Sequence, residues 1–190
     1  MNVQLKEIQS VLDSFRLKMS KLHETIAWNL DTLKPELAQE KNDSINEEIF
    51  TLYKEYHTKM VELGAKIQDK VLDWASLNGS DVTDDIKLLN SNFTLDANQV
   101  QELADRHQDN ATMLHAIKSY AREREIPVIT CSVEDKIEAY NKIIQSNCTL
   151  LAGLRDNPNS DLYKYSIDNL GSPEQMSPQF LMIIGDGTEL

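Results

Sequence analysis

Four histidines, two cysteines and one pair of adjacent aspartates are the candidates in this 190-residue chain for metal ligands or nucleophiles. His107 lies between two aspartates and precedes His115 by eight residues, so the two histidines could in principle serve a metal-dependent hydrolase. Nothing in their spacing makes them converge, because His107 falls near a predicted helix end and His115 on the next helix. The sequence also lacks the motifs of phosphate-binding loops, zinc peptidases and serine hydrolases. We therefore predict a protein that is not an enzyme and holds no metal or cofactor.

The remaining reactive groups have structural interpretations. His23 and His57 lie beside charged residues on long predicted helices, so we expect them on solvated surfaces. The pair at 84–85 suits the first turn of a helix, where negative charge is favourable. Cys131 and Cys148 have no neighbouring histidine or basic cluster in sequence that would lower the pKa of either thiol, so we expect small buried apolar residues.

Charge restricts the kinds of partner. The net charge is −12; residues 1–78 carry 10 basic and 13 acidic side chains, and residues 79–190 carry 9 and 18. This balance argues against direct binding to nucleic acid or an anionic membrane and predicts a basic protein partner for the second half. The opening segment "MNVQLKEIQSVLDSF" lacks the features of a signal peptide, and no run approaches the roughly 20 apolar residues of a membrane span. We expect a cytoplasmic protein.

Two long amphipathic helices are predicted in residues 1–78. The first has apolar residues at alternating steps of three and four, a heptad pattern: Leu5, Ile8, Leu12, Phe15, Met19, Leu22 and Ile26. The second repeats every eleven residues, which favours nearly straight pairing: Ile49, Met60 and Val71; Leu52, Leu63 and Trp74; Tyr56 and Ile67. We expect Asp43 or Ser44 to cap its beginning, Gly64 to permit close helix approach and Gly79 to end it.

These helices are predicted to fold back as an antiparallel hairpin about 45 Å long, at ~1.5 Å per residue. Each helix could cover the apolar face of the other; alternatively, two helices are too few, and the faces bind other chains. We prefer the second interpretation, because a lone helix pair buries little area. The expected protein-interaction residues are Ile8, Leu12, Phe15, Met19, Leu22, Ile26, Ile49, Leu52, Tyr56, Met60, Leu63, Ile67 and Trp74, with Phe180, Leu181 and Ile183 of the C-terminal tail.

A small helical module is predicted for residues 79–155, followed by an irregular, extended tail over 156–190. The first helix of the module is expected to span Thr83 to Asn90, and the second to begin at a capping box of Asp96 and Gln99. The break at 108–110 is a turn before a helix capped by Asn110, which folds two short helices together. Ser132 and Asp135 cap a fourth helix. The whole chain is thus predicted to be all-α.

The segment "DDIKLLNSNFTLDANQVQELADRHQDNATMLHAIKSYARERE", residues 84–125, resembles uncharacterised coiled-coil and helical proteins encoded near the capsid gene of tailed phages of Gram-positive bacteria. The resemblance rests on Asp85, Leu88, Leu89, Asn90, Leu95, Glu102, Leu103, Ala104, Asn110, Thr112, Met113, Ala116, Ile117, Tyr120 and Ala121. It implies a role in head morphogenesis or in the virion. Scaffolding proteins often present a basic C-terminal helix to the shell, whereas this second half is acidic and would suit a basic capsid or portal surface.

Our prediction is therefore a non-catalytic helical assembly protein, phage-encoded and acting in the host cytoplasm or the virion, that binds itself or a capsid or portal partner. The alternative is an acidic soluble inhibitor that occludes a basic host protein through Asp84, Asp85, Glu102 and Asp105.

Overall fold

The computed structural model describes residues 3–91 and 94–160, and every regular element in these residues is helical. The elements are α1 (Val3–Thr32), α2 (Pro35–Trp74), a 3₁₀ turn (Gly79–Asp81), α3 (Ile86–Leu89), α4 (Ala97–Arg106), α5 (Ala111–Glu123) and α6 (Val133–Asp156). This confirms the predicted all-α fold with a long helical hairpin. The predicted tail residues Phe180, Leu181 and Ile183 lie outside the described residues.

The turn of the hairpin is only two residues long. Lys34 is extended, with ψ of 146°, and Pro35 occupies the first turn of α2, where its missing N–H is tolerated and its fixed φ suits the helix. The expectation that α2 begins near Asp43 or Ser44 was wrong. Residues 39–48 are mostly polar because most of them lie on the exposed side of α2, so their sequence resembles a linker. Asn42, within this segment, and Ala38, just before it, are buried.

Two hydrogen bonds define the register of the hairpin. Near the turn, the Asn29 amide nitrogen donates to the Asn42 amide oxygen at 2.8 Å, and both side chains are buried. Farther along, the hydroxyls of Ser14 and Tyr56 lie 2.8 Å apart. Because moving back along α1 corresponds to moving forward along α2, the helices are antiparallel. A buried polar pair fixes one register, since any slip would leave both amides unpaired.

Helix α6 packs along the hairpin and completes a three-helix bundle. It runs antiparallel to α2: Lys136 lies at Trp74, Ile144 at Gly64, and Arg155 at Tyr53 near the far end. A Cβ on Gly64 would lie 3.2 Å from Cγ1 of Ile144, so this glycine does permit close helix approach. The sequence grouped α6 with the small module, whereas in the structure its apolar face lies in the core of the hairpin.

The bundle core is built from the apolar stripes of all three helices. Its buried members are Leu5, Ile8, Leu12, Phe15 and Met19 of α1, Ile49, Tyr56, Met60, Leu63, Ile67 and Val71 of α2, and Ala139, Tyr140, Ile143, Ile144, Leu151 and Leu154 of α6. A third helix is needed because two cylinders touch along a line, which leaves much of each apolar face in water.

A second core lies in the module of α3, α4 and α5, inserted between the end of α2 and the beginning of α6. Its members include Leu89, Val100, Leu103, Ala104, Leu114, Ile117 and Tyr120, with Trp74 packed against them. The predicted capping boxes at Asp96 and Ser132 are both present. The Asn110 side chain accepts from the Met113 N–H and donates to the Asp81 carbonyl at 2.7 Å, so the break at 108–110 is a hydrogen-bonded turn.

Two predicted helix ends differ from the structure. Helix α2 ends at Trp74, before Gly79, which instead begins the 3₁₀ turn under a side-chain cap from Asn78. Helix α3 is only four residues long, because residues 82–83 have no regular structure and residues 84–85 form a turn before it. None of the helices in the described segments combines the length and apolar character that crossing a membrane requires.

Candidate functional site

The apolar faces that the sequence assigned to partner binding are covered within one copy of the chain. Ile8, Leu12, Phe15, Met19 and Met60 are fully buried in the core that α1, α2 and α6 form together. Leu22, Ile26 and Leu52 are half-buried and pack against the same core, while Trp74 packs against the core of the module. The expectation that two helices leave these faces open does not hold, because it omitted α6.

The candidate metal residue His107 belongs to a charge cluster. Its Nε2 lies 2.8 Å from a carboxylate oxygen of Asp85, and the Arg106 guanidinium donates to that same oxygen at 3.0 Å. The hydrogen bond from His107, followed by that from Arg106, lowers the pKa of Asp85. His115 lies elsewhere, on α5, and faces a surface cavity. In the described residues no group of three or more His, Cys, Asp or Glu side chains could hold a metal ion.

The other reactive groups take structural positions. His23 is half-buried, and its Nε2 lies 2.8 Å from the Arg155 carbonyl, which fixes α1 against the end of α6. His57 is half-buried against the Tyr53 ring, with ring centroids 5.9 Å apart. Burial raises the pKa of both Cys131 and Cys148, which disfavours their thiolate forms.

Sequence reasoning missed a buried cation at the junction of the bundle and the module. Lys136 of α6 is 1% exposed, and its ammonium nitrogen lies 4.4 Å from the Trp74 ring centroid. Burial lowers the pKa of Lys136, while Cys131 and Asp109 act in the opposite direction. Among the described residues Lys136 forms no ion pair with a carboxylate. One signal was available: Lys136 precedes Tyr140 by four residues and Ile143 by seven, which places it on the buried face of α6.

The cavity beside this junction has a volume of about 200 Å³. It is lined by Trp74, Leu77, His115, Lys118, Cys131 and Glu134, a mixture of apolar, basic and acidic side chains. Burial raises the pKa of Cys131, the cysteine of this lining, which disfavours its thiolate form.

The outward face of α2 carries a second apolar series that the sequence analysis did not single out. Phe50, Val61 and Leu72 are 50%, 50% and 49% exposed, and each follows a buried member of the inner repeat by one residue. Eleven residues correspond to three helical turns, so these side chains line up on one face. We call the face they define the outer seam; its members are Phe50, Lys54, His57, Val61, Ala65, Gln68 and Leu72.

The intervening positions of the outer seam are small or amphipathic. The Lys54 ammonium lies 4.3 Å from the Phe50 ring centroid, which places a cation–π contact on the outer seam. Ala65 and Gln68 are exposed and add no formal charge. The outer seam is thus a narrow strip with apolar side chains at Phe50, Val61, Ala65 and Leu72, on a helix that packs against α1 and α6 on its other side.

No protein-family model, curated protein or solved structure matches this chain.

Proposed function

We propose that this chain is a non-catalytic helical assembly protein that binds another protein along the outer seam of α2. The observation that carries the proposal is the row of three large, half-exposed apolar side chains at eleven-residue intervals, Phe50, Val61 and Leu72. Single exposed apolar residues are ordinary on soluble proteins, but an aligned row on one rigid element is typical of a contact surface. This surface replaces the inner faces, which α6 covers.

The architecture behind the outer seam supports the same proposal. Helix α2 has 40 residues and is packed against both α1 and α6, with Gly64 in close contact with Ile144. A face held in this way loses little conformational entropy on binding, because the backbone is already ordered. Recognition of a partner helix along such a face needs no catalytic group.

The biological setting of this assembly comes from the resemblance of residues 84–125 to capsid-neighbouring phage proteins. A scaffold-like contact, or binding to a basic capsid or portal surface, fits the acidic second half of the chain. The genes beside this one test the setting, because a capsid or portal gene there is the expected finding.

The alternative of an acidic inhibitor has less support from the structure. Asp84 pairs with Lys87, and Asp85 pairs with Arg106 and His107. Carboxylates already matched to cations on their own chain contribute less to the attraction of a basic partner. We therefore prefer the outer seam.

The proposal is tested by substitution in the outer seam. Tagged wild-type protein, Val61→Lys and the matched control Leu17→Lys would be purified from native lysate that also contains the untagged, isotope-labelled chain, and the bound proteins, including the labelled copy, quantified by mass spectrometry. Leu17 is 60% exposed on α1 and outside the outer seam. We expect Val61→Lys to lose its bound partner, whether a second copy or another protein, and Leu17→Lys to keep it. Identical partners at identical levels in all three samples would overturn the proposal.

A further inference from the structure

The members of the outer seam have a symmetric spacing, although the residue types at matching positions differ. Reading along α2 from Phe50, the steps between its members are four, three and four to Val61, then four, three and four to Leu72. The spacing is therefore the same in both directions about Val61. A surface of this kind can match a copy of itself turned end to end, which is the requirement for a two-fold interface.

We infer, resting on the proposed function, that the partner of the outer seam is a second copy of this chain, packed antiparallel about a two-fold axis at Val61. In this arrangement Phe50 lies opposite Leu72 of the second copy, since both are eleven residues from Val61. Lys54 likewise lies at the level of Gln68, and His57 at the level of Ala65. Phe50 therefore faces Leu72 and Val61 faces its equivalent, while the four flanking members lie at matching levels on either side of this line.

Charge on the flank of the outer seam favours the antiparallel orientation. Lys54 and Asp69 are exposed on the same side of the apolar row. Lys54 precedes Val61 by seven residues and Asp69 follows it by eight, so an antiparallel pair brings Lys54 of one copy within one residue, about 1.5 Å, of the level of Asp69 of the other. In antiparallel helices equivalent flanks face each other, and this contact occurs twice.

The parallel orientation lacks this complementarity. In a parallel pair, opposite flanks of the two helices face each other at equal residue numbers. Lys54 would then lie near Tyr53 and His57 of the second copy, and Asp69 near its Gln68. None of these is a carboxylate or a lysine, so neither charge finds an opposite partner.

The dimensions of the outer seam predict a weak dimer. From Phe50 to Leu72 it extends about 33 Å, and a helix face is about 10 Å wide. Two copies would thus cover roughly 700 Å² in total, less than the ~1,200 Å² of standard stable interfaces. We expect a dimer that dissociates in the micromolar range and whose population depends on protein concentration.

Sedimentation velocity of the full chain from about 1 to 500 µM tests the inference. Wild type should shift from monomer to dimer, and Val61→Lys should raise the dissociation constant at least ten-fold, because two ammonium groups would meet at the axis. Leu17→Lys carries the same charge change outside the outer seam and should leave the constant unchanged. Circular dichroism should show equal helicity in all three proteins.

Disulfide trapping tests the orientation. Phe50→Cys and Leu72→Cys variants, mixed and oxidised, should cross-link to each other far more than either does to itself, with the linked positions mapped by mass spectrometry. Self-linked Phe50→Cys would overturn the antiparallel arrangement. Lys54→Asp should weaken the dimer about three- to ten-fold, and adding Asp69→Lys should restore it.

The outcomes separate the inference from the proposed function. A chain that stays monomeric to 500 µM overturns the second-copy partner, yet seam-dependent capture of a different protein would leave the proposed function standing. A monomer without any seam-dependent partner overturns both.

Discussion

Replacing Lys136 by methionine is expected to stabilise the fold. The Lys136 ammonium is buried at the Trp74 ring and forms no ion pair with a carboxylate of the described residues. Methionine has a similar length and can contact the same ring through its sulfur, so the packing of α6 against α2 should be retained. The substitution removes a buried charge that is solvated in the unfolded chain but not in the folded core.

The size of the effect follows from two opposing contributions. Removing a charge from water has an effective penalty of several kcal/mol in real proteins. A desolvated cation–π contact returns about 2 kcal/mol, part of which the sulfur–ring contact replaces. The difference is a gain of roughly 1–3 kcal/mol. At about 2–4 °C per kcal/mol for a chain of this length, we expect the Tm to rise by about 2–12 °C.

The gain in folding stability from Lys136→Met should decrease as the pH rises. Burial lowers the pKa of Lys136 below the ordinary 10.5, so between the two values the unfolded chain binds more protons and wild-type stability rises with pH. Methionine does not titrate. The advantage of Lys136→Met is therefore fully present below the lowered pKa and shrinks as the pH approaches 10.5.

Thermal unfolding by circular dichroism at pH 7 and pH 10 measures both effects. Lys142→Met is the control, because Lys142 is an exposed residue of the same helix paired with Glu138, and its loss should change stability by less than ~0.5 kcal/mol. If Lys136→Met lowers the Tm at pH 7, or if its advantage is equal at the two pH values, the ammonium is stabilised where it lies and the reasoning is refuted.

Three further substitutions test the packing described above. In urea unfolding, Asn42→Leu should destabilise the hairpin by about 1–3 kcal/mol, because it leaves the buried Asn29 amide without its hydrogen-bond partner. The double variant Asn29→Leu/Asn42→Leu should recover most of that loss. Equal losses in the single and double variants would contradict this account. Gly64→Leu should lower stability by about 1–3 kcal/mol because α6 leaves no room, while Gly153→Leu, which faces open space, should not, and similar Tm values for the two variants would argue against close packing. The stabilising contribution of Asp85 should be present above its ordinary pKa of 3.8 and vanish as the pH falls through its lowered folded-state pKa, since the charged form is the one that its histidine and arginine partners hold. Urea unfolding should therefore show a gap between wild type and Asp85→Asn at pH 7 that shrinks as the pH falls below 3.8; a pH-independent gap would disprove the linkage.

Local features of the fold were readable from the sequence. The capping boxes at Asp96 and Ser132 and the cap at Asn110 were predicted at the residues where they occur, because a cap depends on side chains within three residues of one another. The eleven-residue repeat of α2 and the heptad of α1 were likewise visible, since periodicity follows from helix geometry alone. The start of α2 was misread because residues 39–48 are mostly exposed, and exposure makes a helix resemble a linker.

Tertiary structure alone decided which apolar face was covered and by what. A periodic apolar pattern indicates that one face of a helix is buried, but it does not indicate which other element packs against that face. Helix α6 lies about 60 residues beyond α2 in sequence, so no local signal connects the two helices. Phe50, Val61 and Leu72 each adjoin a buried residue, so only the placement of α1 and α6 separates the covered face from the open one. The burial of Lys136 was decided in the same way, because a lysine enters a core only where neighbouring helices close over it.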